Sequence, residues 1–234
     1  MKQSSELKDI ALSALRGNWG RAVVMSLVIY LIIAVFCGIL FSFFGIVFSS
    51  ILGGDDPSAS LMFLPVGLPL VYIAFVFIIM IYAFGMQMTY ANFVRGDSQS
   101  LKVSDAFSFG FKNLDVILLK FLYIFAWSLL FYIPGIIKMY SYAMTPYIVR
   151  DNPGISADAA IHASRELMRG HKFDLFVLHL TFLGWYYLAC FTCGIGFLFF
   201  IPYYQATKAA FYQNLLEESA ASAPSATSSS DMKF

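Results

Sequence analysis

The amino-acid sequence predicts an all-α protein, a polytopic transmembrane helical bundle of about six spans. The spans form three helical hairpins, each preceded by a cytoplasmic amphipathic helix. The composition is the first reason, because 59% of the 234 residues are hydrophobic and only 12% are charged. Ordinary soluble domains carry about 25% charged residues, so this chain has too few charges to cover a surface in water. A formal net charge of +1 also argues against a broad attraction to nucleic acid.

Long uncharged runs are the second reason. A helix that crosses the hydrocarbon core of a bilayer needs about 20 apolar residues. The runs cover residues 22–54, 59–94, 121–137 and 175–207. Pro134-Gly135 follows a first apolar helix, and Gly194-Ile195-Gly196 divides the last run. Because such clusters favour turns, the four runs predict six spans in three hairpins.

The distribution of basic residues favours the same count. With six spans, fourteen of the fifteen Lys and Arg residues lie on the cytoplasmic side and Lys138 alone lies outside. Both termini are then cytoplasmic. The fourth span, residues 136–151, is short and contains Pro146, which removes a helical hydrogen bond. We therefore expect this span to be thin, kinked or partly re-entrant.

A repeated pattern is the third reason. Apolar residues with helical spacing precede spans one, three and five, and they predict one domain over residues 1–218 with repeats at about 4–94, 103–150 and 156–216. Ser104 and Ser156 are predicted N-caps. The short helices could sense lipid headgroups or cover the cytoplasmic end of the bundle, and their mixed charges favour the second interpretation. The Ser/Ala-rich segment 219–234 is predicted to be disordered.

Polar side chains recur on the segments that return toward the cytoplasm. If those segments face one another, they line a polar cavity that is open to the cytoplasm. The predicted residues are Gln87, Thr89, Asn92, Tyr142, Thr145, Tyr147, Tyr203, Gln205 and Thr207, with His179 from span five. The alternative is hydrogen bonding between helices together with an interfacial aromatic belt.

Ionisable residues do not form a recognisable active site in the sequence. His171 with Asp174 and His162 with Glu166 share helix faces, but no third ligand is apparent for a metal. The sequence also has no G-x-S-x-G, H-E-x-x-H or phosphate-binding glycine loop. We therefore predict no catalytic residue, metal or cofactor, and an enzyme is the weakest functional class.

An ordered set of motifs resembles a known family. In chain order the motifs are Leu15-x-Gly17-Asn18-Trp19, Met144-Thr145-Pro146-Tyr147, Asp151-Asn152-Pro153, Ser164-Arg165-Glu166-Leu167-Met168-x-Gly170-His171-Lys172, Phe182-x-Gly184-Trp185, Gly194-x-Gly196, Pro202-Tyr203 and Ala210-Phe211-Tyr212. They resemble the bacterial integral membrane proteins of the domain-of-unknown-function 975 family. The resemblance implies a bacterial cytoplasmic (inner) membrane protein and no established activity or cofactor.

Two functional hypotheses follow from the sequence. The first is a non-enzymatic membrane accessory or scaffold, whose partners are membrane lipids and another membrane or envelope protein. The alternative is a small transporter or flippase for an amphiphilic or lipid-like molecule, with the polar faces as its path. Repeated hairpins are compatible with transport, although parallel repeats suit alternating access less directly than inverted ones.

Overall fold

The fold is known from a computed structural model, which describes residues 4–53, 58–97, 99–130, 132–192 and 194–222. All regular secondary structure in these residues is helical, which confirms the predicted class. The helices are α1 (Ser4–Leu15), α2 (Trp19–Gly53), α3 (Ser58–Val94), α4 (Val103–Lys112), α5 (Leu114–Leu130), α6 (Tyr132–Ser141), α7 (Thr145–Asp151), α8 (Ala157–Leu167), α9 (Lys172–Phe191) and α10 (Phe197–Ser222).

Three of the six predicted spans are confirmed as helices long and apolar enough to cross a membrane. Within the described ranges they are Trp19–Ile46 in α2, Gly67–Val94 in α3 and Lys172–Phe191, which is α9. The other three segments fall short for physical reasons. Helix α5 has 17 residues, or roughly 25 Å at 1.5 Å per residue. Helix α10 ends in a polar sequence, and the predicted fourth span is divided in two.

The fourth segment breaks at residues 142–144, between α6 and α7. Helix α7 restarts at Thr145 with Pro146 in its first turn, where the missing N–H is tolerated. Ser164 of α8 holds the break, since its hydroxyl donates to the Ser141 carbonyl at 2.9 Å and accepts from the Met144 N–H at 3.2 Å. The predicted kink is therefore a complete interruption, and a neighbouring helix fixes it.

The two predicted hairpin turns have different outcomes. The turn at Gly194 is confirmed, because this residue has φ +88° and separates α9 from α10. The turn predicted at Pro134-Gly135 is displaced, since both residues lie in the first turn of α6. Gly135 is needed there for close approach to α5, because a Cβ at this position would lie 2.4 Å from the Ser128 hydroxyl oxygen.

Helix ends also differ from the predictions. The Ser156 cap is confirmed, because its side chain accepts from the Ala159 N–H. The Ser104 cap is wrong: α4 begins after Lys102, and the Ser104 hydroxyl donates to Asp105 instead. Helix α10 runs to Ser222, so the first four residues of the predicted tail are helical. Residues 223–234 lie outside the described part of the chain.

The short helices α1, α4 and α8 pack against the bundle. Helix α4 lies on α3, α8 lies on α7 and α5, and α1 lies on α10. The backbones of α3 and α4 approach each other very closely. A Cβ on Gly85 would lie 1.7 Å from the Ala106 carbonyl oxygen, and one on Gly110 would lie 2.2 Å from the Ile81 carbonyl oxygen. Leu7, Ala106 and Ile161 are buried on α1, α4 and α8, whereas Phe111 remains 56% exposed, so the bundle covers most but not all of their apolar faces.

The centre of the bundle is buried, whereas its outside exposes large apolar side chains, as is usual for a protein in lipid. Tyr90 of α3, Tyr147 of α7 and Phe211 of α10 are almost completely buried. By contrast, Phe41 of α2 is 82% exposed and Phe191 of α9 is 86% exposed. Large apolar side chains that are exposed in series indicate contact with a membrane or another protein.

Candidate functional site

The structure brings together the three segments on which the polar residues were predicted. We call α3, α7 and α10 the returning helices. Helix α3 packs on both α7 and α10, and the rings of Tyr147 and Tyr212 stack with centroids 5.0 Å apart. The three segments therefore pack against one another.

Three of the predicted residues are threonines, one on each returning helix. Thr89, Thr145 and Thr207 are fully buried. Each hydroxyl donates to a main-chain carbonyl three or four residues earlier, at 2.8, 3.0 and 2.8 Å. Such local bonds satisfy the hydroxyl without a partner on another helix. These side chains therefore contribute to packing and leave no free donor for a cavity.

Three further predicted residues also have packing roles. The ring of Tyr142 is buried and lies 6.2 Å from that of Tyr123. Tyr203 makes an edge-to-face contact with Phe182 at 5.2 Å. Asn92 lies in the last turn of α3, where its carbonyl accepts two main-chain N–H groups from the following turn. The structure does not bring these three side chains into one site.

One of the remaining predicted residues, Gln87, contacts an ammonium group in the bundle. Lys208 of α10 donates from Nζ to the Gln87 side-chain oxygen of α3 at 3.1 Å. In the described residues, the Tyr147 hydroxyl and the Gln205 side-chain oxygen are buried without a hydrogen-bond partner. Unsatisfied buried polar atoms are uncommon in native structures, so this region is the strongest candidate for a ligand site.

His179 joins three helices through both ring nitrogens. Its Nδ1 lies 3.1 Å from the Tyr140 hydroxyl of α6, and its Nε2 lies 2.7 Å from the Tyr204 hydroxyl of α10. A neutral imidazole satisfies both contacts, since one nitrogen donates and the other accepts. His179 therefore hydrogen-bonds to two neighbouring helices, as the alternative to a polar cavity expects.

Asp151, at the end of α7, joins the residue that follows α3 to the middle of α10. Its carboxylate accepts two hydrogen bonds from Arg95 after α3, at 2.9 and 2.8 Å, and one from the Tyr212 hydroxyl of α10 at 2.7 Å. Arg150 donates to the same carboxylate from Nε at 2.8 Å and also from Nη2. Burial alone raises the pKa of Asp151, but the hydrogen bonds from Arg95, Tyr212 and Arg150 outweigh it and hold the pKa below its usual value.

Sequence reasoning missed this cluster because it used the arginines only to count charges on each side of the membrane. A local signal does exist in the sequence. Val94-Arg95 ends one returning helix, and Val149-Arg150-Asp151 ends the next. The carboxylate between two arginines could have been predicted only by assuming that the helix ends lie together.

The ionisable pairs proposed from helix spacing are only partly formed. His171 Nδ1 lies 3.2 Å from Asp174, as the spacing predicts. His162 faces Asp158 at 3.6 Å rather than Glu166, which pairs with Arg169 at 3.3 Å. Among the described residues, no three His, Cys, Asp or Glu side chains converge on one point that could hold a metal.

An apolar groove lies beside His179, and we call it the α9–α10 groove. Its volume is about 230 Å³, and it is lined by His179, Phe182, Leu183, Tyr186, Phe200 and Tyr204. Two of the lining groups, the imidazole and the Tyr204 hydroxyl, are polar and lie together. The groove therefore combines an apolar wall with one polar end.

These features define a helical protein in which three helices of the described residues are long and apolar enough to cross a membrane and whose mainly apolar core contains a few buried polar side chains. The chain belongs to the family described as "Protein of unknown function (DUF975)", which it matches over residues 58–219. The match confirms the resemblance drawn from the motifs, but it begins at α3, so the N-terminal Leu15 to Trp19 motif lies outside it. Neither a curated protein nor a solved structure shows a significant match to the chain.

Proposed function

We propose that this protein is a non-enzymatic membrane accessory that binds lipid or a partner protein. The main support for this proposal is that the threonine hydroxyls of the returning helices and the Asp151 carboxylate are already engaged in hydrogen bonds. Thr89 and Thr207 bond within their own helices, Thr145 bonds to the turn before α7, and Asp151 joins α7 to α10. The three threonines of the predicted polar path thus use their hydroxyl donors locally, while α2 and α9 expose large apolar side chains.

The proposed location is the bacterial cytoplasmic membrane, with both termini in the cytoplasm. In this arrangement α2, α3 and α9 cross the membrane, α10 returns beside α9, and α5 with α6–α7 forms a shorter hairpin. The positions of the basic residues in the sequence support this orientation. The packing of α4 on α3, α8 on α7 and α1 on α10 supports a threefold repeat of an amphipathic helix and a hairpin.

A small transporter or flippase is the second candidate. One observation favours it: Lys208 and Gln87 bond to each other within the bundle, and both are only partly buried. Polar groups at membrane depth often mark a substrate path.

Lipid scrambling in reconstituted vesicles separates the two candidates. Vesicles would contain fluorescent phosphatidylcholine, and a membrane-impermeant quencher would report its movement between leaflets. The accessory proposal predicts the same rate as protein-free vesicles for both the wild type and a Q87L/Y142L/Q205L variant. A faster rate that this triple variant abolishes would refute the accessory and support the flippase.

Cysteine accessibility in intact cells tests the orientation. On a cysteine-free background, single cysteines at Ser58, Lys138, Ser108 and Ser229 would be treated with an impermeant thiol reagent. Ser108 is exposed on α4, whereas Ser164 is buried and hydrogen-bonded and is unsuitable as a probe. Labelling at Ser58 and Lys138 alone supports the proposed orientation, and labelling at Ser108 contradicts it.

A further inference from the structure

A cavity lies where the junction of α1 and α2 meets α9 and α10, and we call it the tryptophan pocket. Its volume is about 320 Å³, within the range of pockets that bind small ligands. Residues from four helices line it, among them Leu12 of α1, Trp19 of α2, Trp185 and Leu188 of α9, and Phe199 and Tyr203 of α10. Unlike the buried polar atoms at the centre of the bundle, this space is open to the outside.

Aromatic rings form the walls of the pocket. The rings of Trp19 and Phe199 have centroids 6.1 Å apart, and those of Trp185 and Tyr203 meet edge to face at 6.5 Å. Gly17 turns the chain from α1 into α2 with φ +83°, a conformation that glycine adopts readily, and so places Trp19 against α10. The walls are therefore built by tertiary contacts between separate helices.

Four of the sequence motifs described above each contribute one lining residue. These motifs are Leu15-x-Gly17-Asn18-Trp19, Phe182-x-Gly184-Trp185, Gly194-x-Gly196 and Pro202-Tyr203. The residues that reach the pocket are Trp19, Trp185, Gly196 and Tyr203. The proposed function assigns no role to these motifs, and their convergence on one cavity points to a ligand site.

The turn between α9 and α10 closes one end of the pocket. The Thr192 hydroxyl donates to the Ala189 carbonyl and accepts from the Gly196 N–H, both at 2.8 Å. A Cβ on Gly196 would lie 2.7 Å from the Ala189 Cα atom, so glycine allows α10 to begin this close to α9. A helix of a partner protein is about 10 Å wide and needs a groove that runs past its ends. The closed end suits a flexible chain instead.

The rim of the pocket is open and apolar. Trp185, Leu188 and Phe199 are 53%, 56% and 53% exposed, so the rim continues into the exposed face of α9. No charged side chain is among the described residues that line the pocket. Because a charged group would be unstable there, the part of a ligand that enters is uncharged and comes from the hydrocarbon phase.

Three of the lining side chains carry hydrogen-bond donors without an acceptor in the described part of the chain. They are the indole N–H groups of Trp19 and Trp185 and the Tyr203 hydroxyl. Donors in lipid are costly when they lack an acceptor, and Trp and Tyr usually find one for their polar ends. An ester carbonyl joined to a hydrocarbon chain supplies both an acceptor and an apolar body.

We propose that the tryptophan pocket binds one acyl chain of a membrane phospholipid, whose ester carbonyl accepts from a donor of Trp19, Trp185 or Tyr203. The charged headgroup stays outside, so the site selects the chain and its ester linkage and is indifferent to headgroup charge. This inference rests on the proposed function, because it locates the lipid that the accessory would bind.

Quenching of tryptophan fluorescence by a brominated acyl chain tests the proposal, because bromine quenches only at short range. The probe is phosphatidylcholine with a dibrominated stearoyl chain, titrated into the full chain in detergent. One variant, Trp127→Phe/Trp185→Phe, retains Trp19 alone. Its matched control, Trp19→Phe/Trp185→Phe, retains Trp127, which lies on α5 outside the pocket and is 38% exposed. We expect quenching of Trp19 to saturate near one lipid per chain, and quenching of Trp127 to rise steadily with the brominated fraction of the micelle.

Two double substitutions separate the pocket from its surroundings. In the protein that retains Trp19, Leu12→Phe/Leu188→Phe narrows the entrance and should abolish the saturable quenching. Leu118→Phe/Leu180→Phe makes the same change at two exposed leucines outside the lining and should retain it. Because all four leucines are exposed, both variants should keep the circular dichroism of the parent, which separates loss of binding from loss of folding.

Competing lipids test the two chemical features of the ligand. An ether-linked phosphatidylcholine with the same chains lacks the carbonyl, and we expect it to bind about threefold to tenfold more weakly, as for loss of one hydrogen bond. Ester-linked phosphatidylglycerol with the same chains should displace the probe as well as phosphatidylcholine does, because the headgroup lies outside the pocket.

Three results would overturn the inference. They are quenching of Trp19 that does not saturate, saturation that persists in Leu12→Phe/Leu188→Phe, and equal binding of the ester-linked and ether-linked lipids. Each would leave the accessory function standing if the vesicles show no scrambling. Conversely, rapid scrambling together with saturable quenching of Trp19 would refute the accessory function and retain this site.

Discussion

Replacing Asp151 by Asn should destabilise the bundle more than any single change at the exposed ion pairs. The carboxylate accepts from Arg95, Arg150 and Tyr212, and its side chain is 19% exposed. Removing one partner of a mostly buried ion pair costs roughly 3–5 kcal/mol, because the other charge is left uncompensated. Arg150, at 6% exposed, is the charge that would be left in this way.

The lower part of that range applies here. Arg95 is 42% exposed, so water screens its charge and the pair with Arg95 contributes little. The asparagine side chain also keeps one oxygen that can accept a hydrogen bond. We therefore expect Asp151→Asn to lower the free energy of unfolding by about 3 kcal/mol and Arg95→Gln to lower it by about 1 kcal/mol or less.

Reversible unfolding by SDS in mixed micelles, followed by circular dichroism, would measure both variants. Equal losses for Asp151→Asn and Arg95→Gln would refute the reasoning, because the difference rests on the burial of Arg150. No loss for Asp151→Asn would refute the role of the carboxylate in joining the returning helices.

Three other changes test neighbouring parts of the structure. The pKa of Asp151 is lowered in the folded state, so this residue stabilises the protein fully above its unfolded pKa of about 3.9. The stabilisation should be lost as the pH falls through the folded-state pKa. Asp151→Asn should remove that component of the acid unfolding curve. Gly85→Ala should shift α4 away from α3 and lower the unfolding midpoint, whereas Gly38→Ala, which has open space at the Cβ position, should not; equal midpoints would contradict the close crossing. Ser164→Ala should cost about 1–3 kcal/mol by leaving two groups at the α6–α7 break unpaired, while Ser108→Ala, on an exposed face of α4, serves as its control in the same titration.

The parts of the fold that depend on local composition could be predicted from the sequence. Apolar runs identified α2, α3 and α9, the glycines at 194 and 196 identified the last hairpin turn, and Pro146 indicated a weak fourth span. Each of these signals acts within a few residues of its cause. The turn predicted at Gly135 is displaced because that glycine allows a close contact with Ser128 on the neighbouring helix. Local composition does not indicate such a contact.

The candidate site was predictable only in outline. Facing segments were anticipated, but the side chains that matter were chosen by polarity alone, which cannot distinguish Thr89, bonded to its own helix, from Tyr147, buried without a partner. The contact between Lys208 and Gln87 depends on how α10 and α3 are placed, which is a property of the tertiary structure.

The packing of α1 on α10 determines the order in which the protein can be assembled during synthesis. Lys8 of α1 contacts Thr181 and Phe182 of α9, and the hydrogen bond to the Thr181 carbonyl joins positions 173 residues apart. At about 5–20 residues per second, a ribosome needs roughly 10–35 s to make that length of chain. During this interval α1 has been translated but its docking surface has not, so the first helix to emerge is among the last to be buried. Nascent chains halted before α10 should therefore expose α1 to proteolysis, whereas the finished chain should protect it.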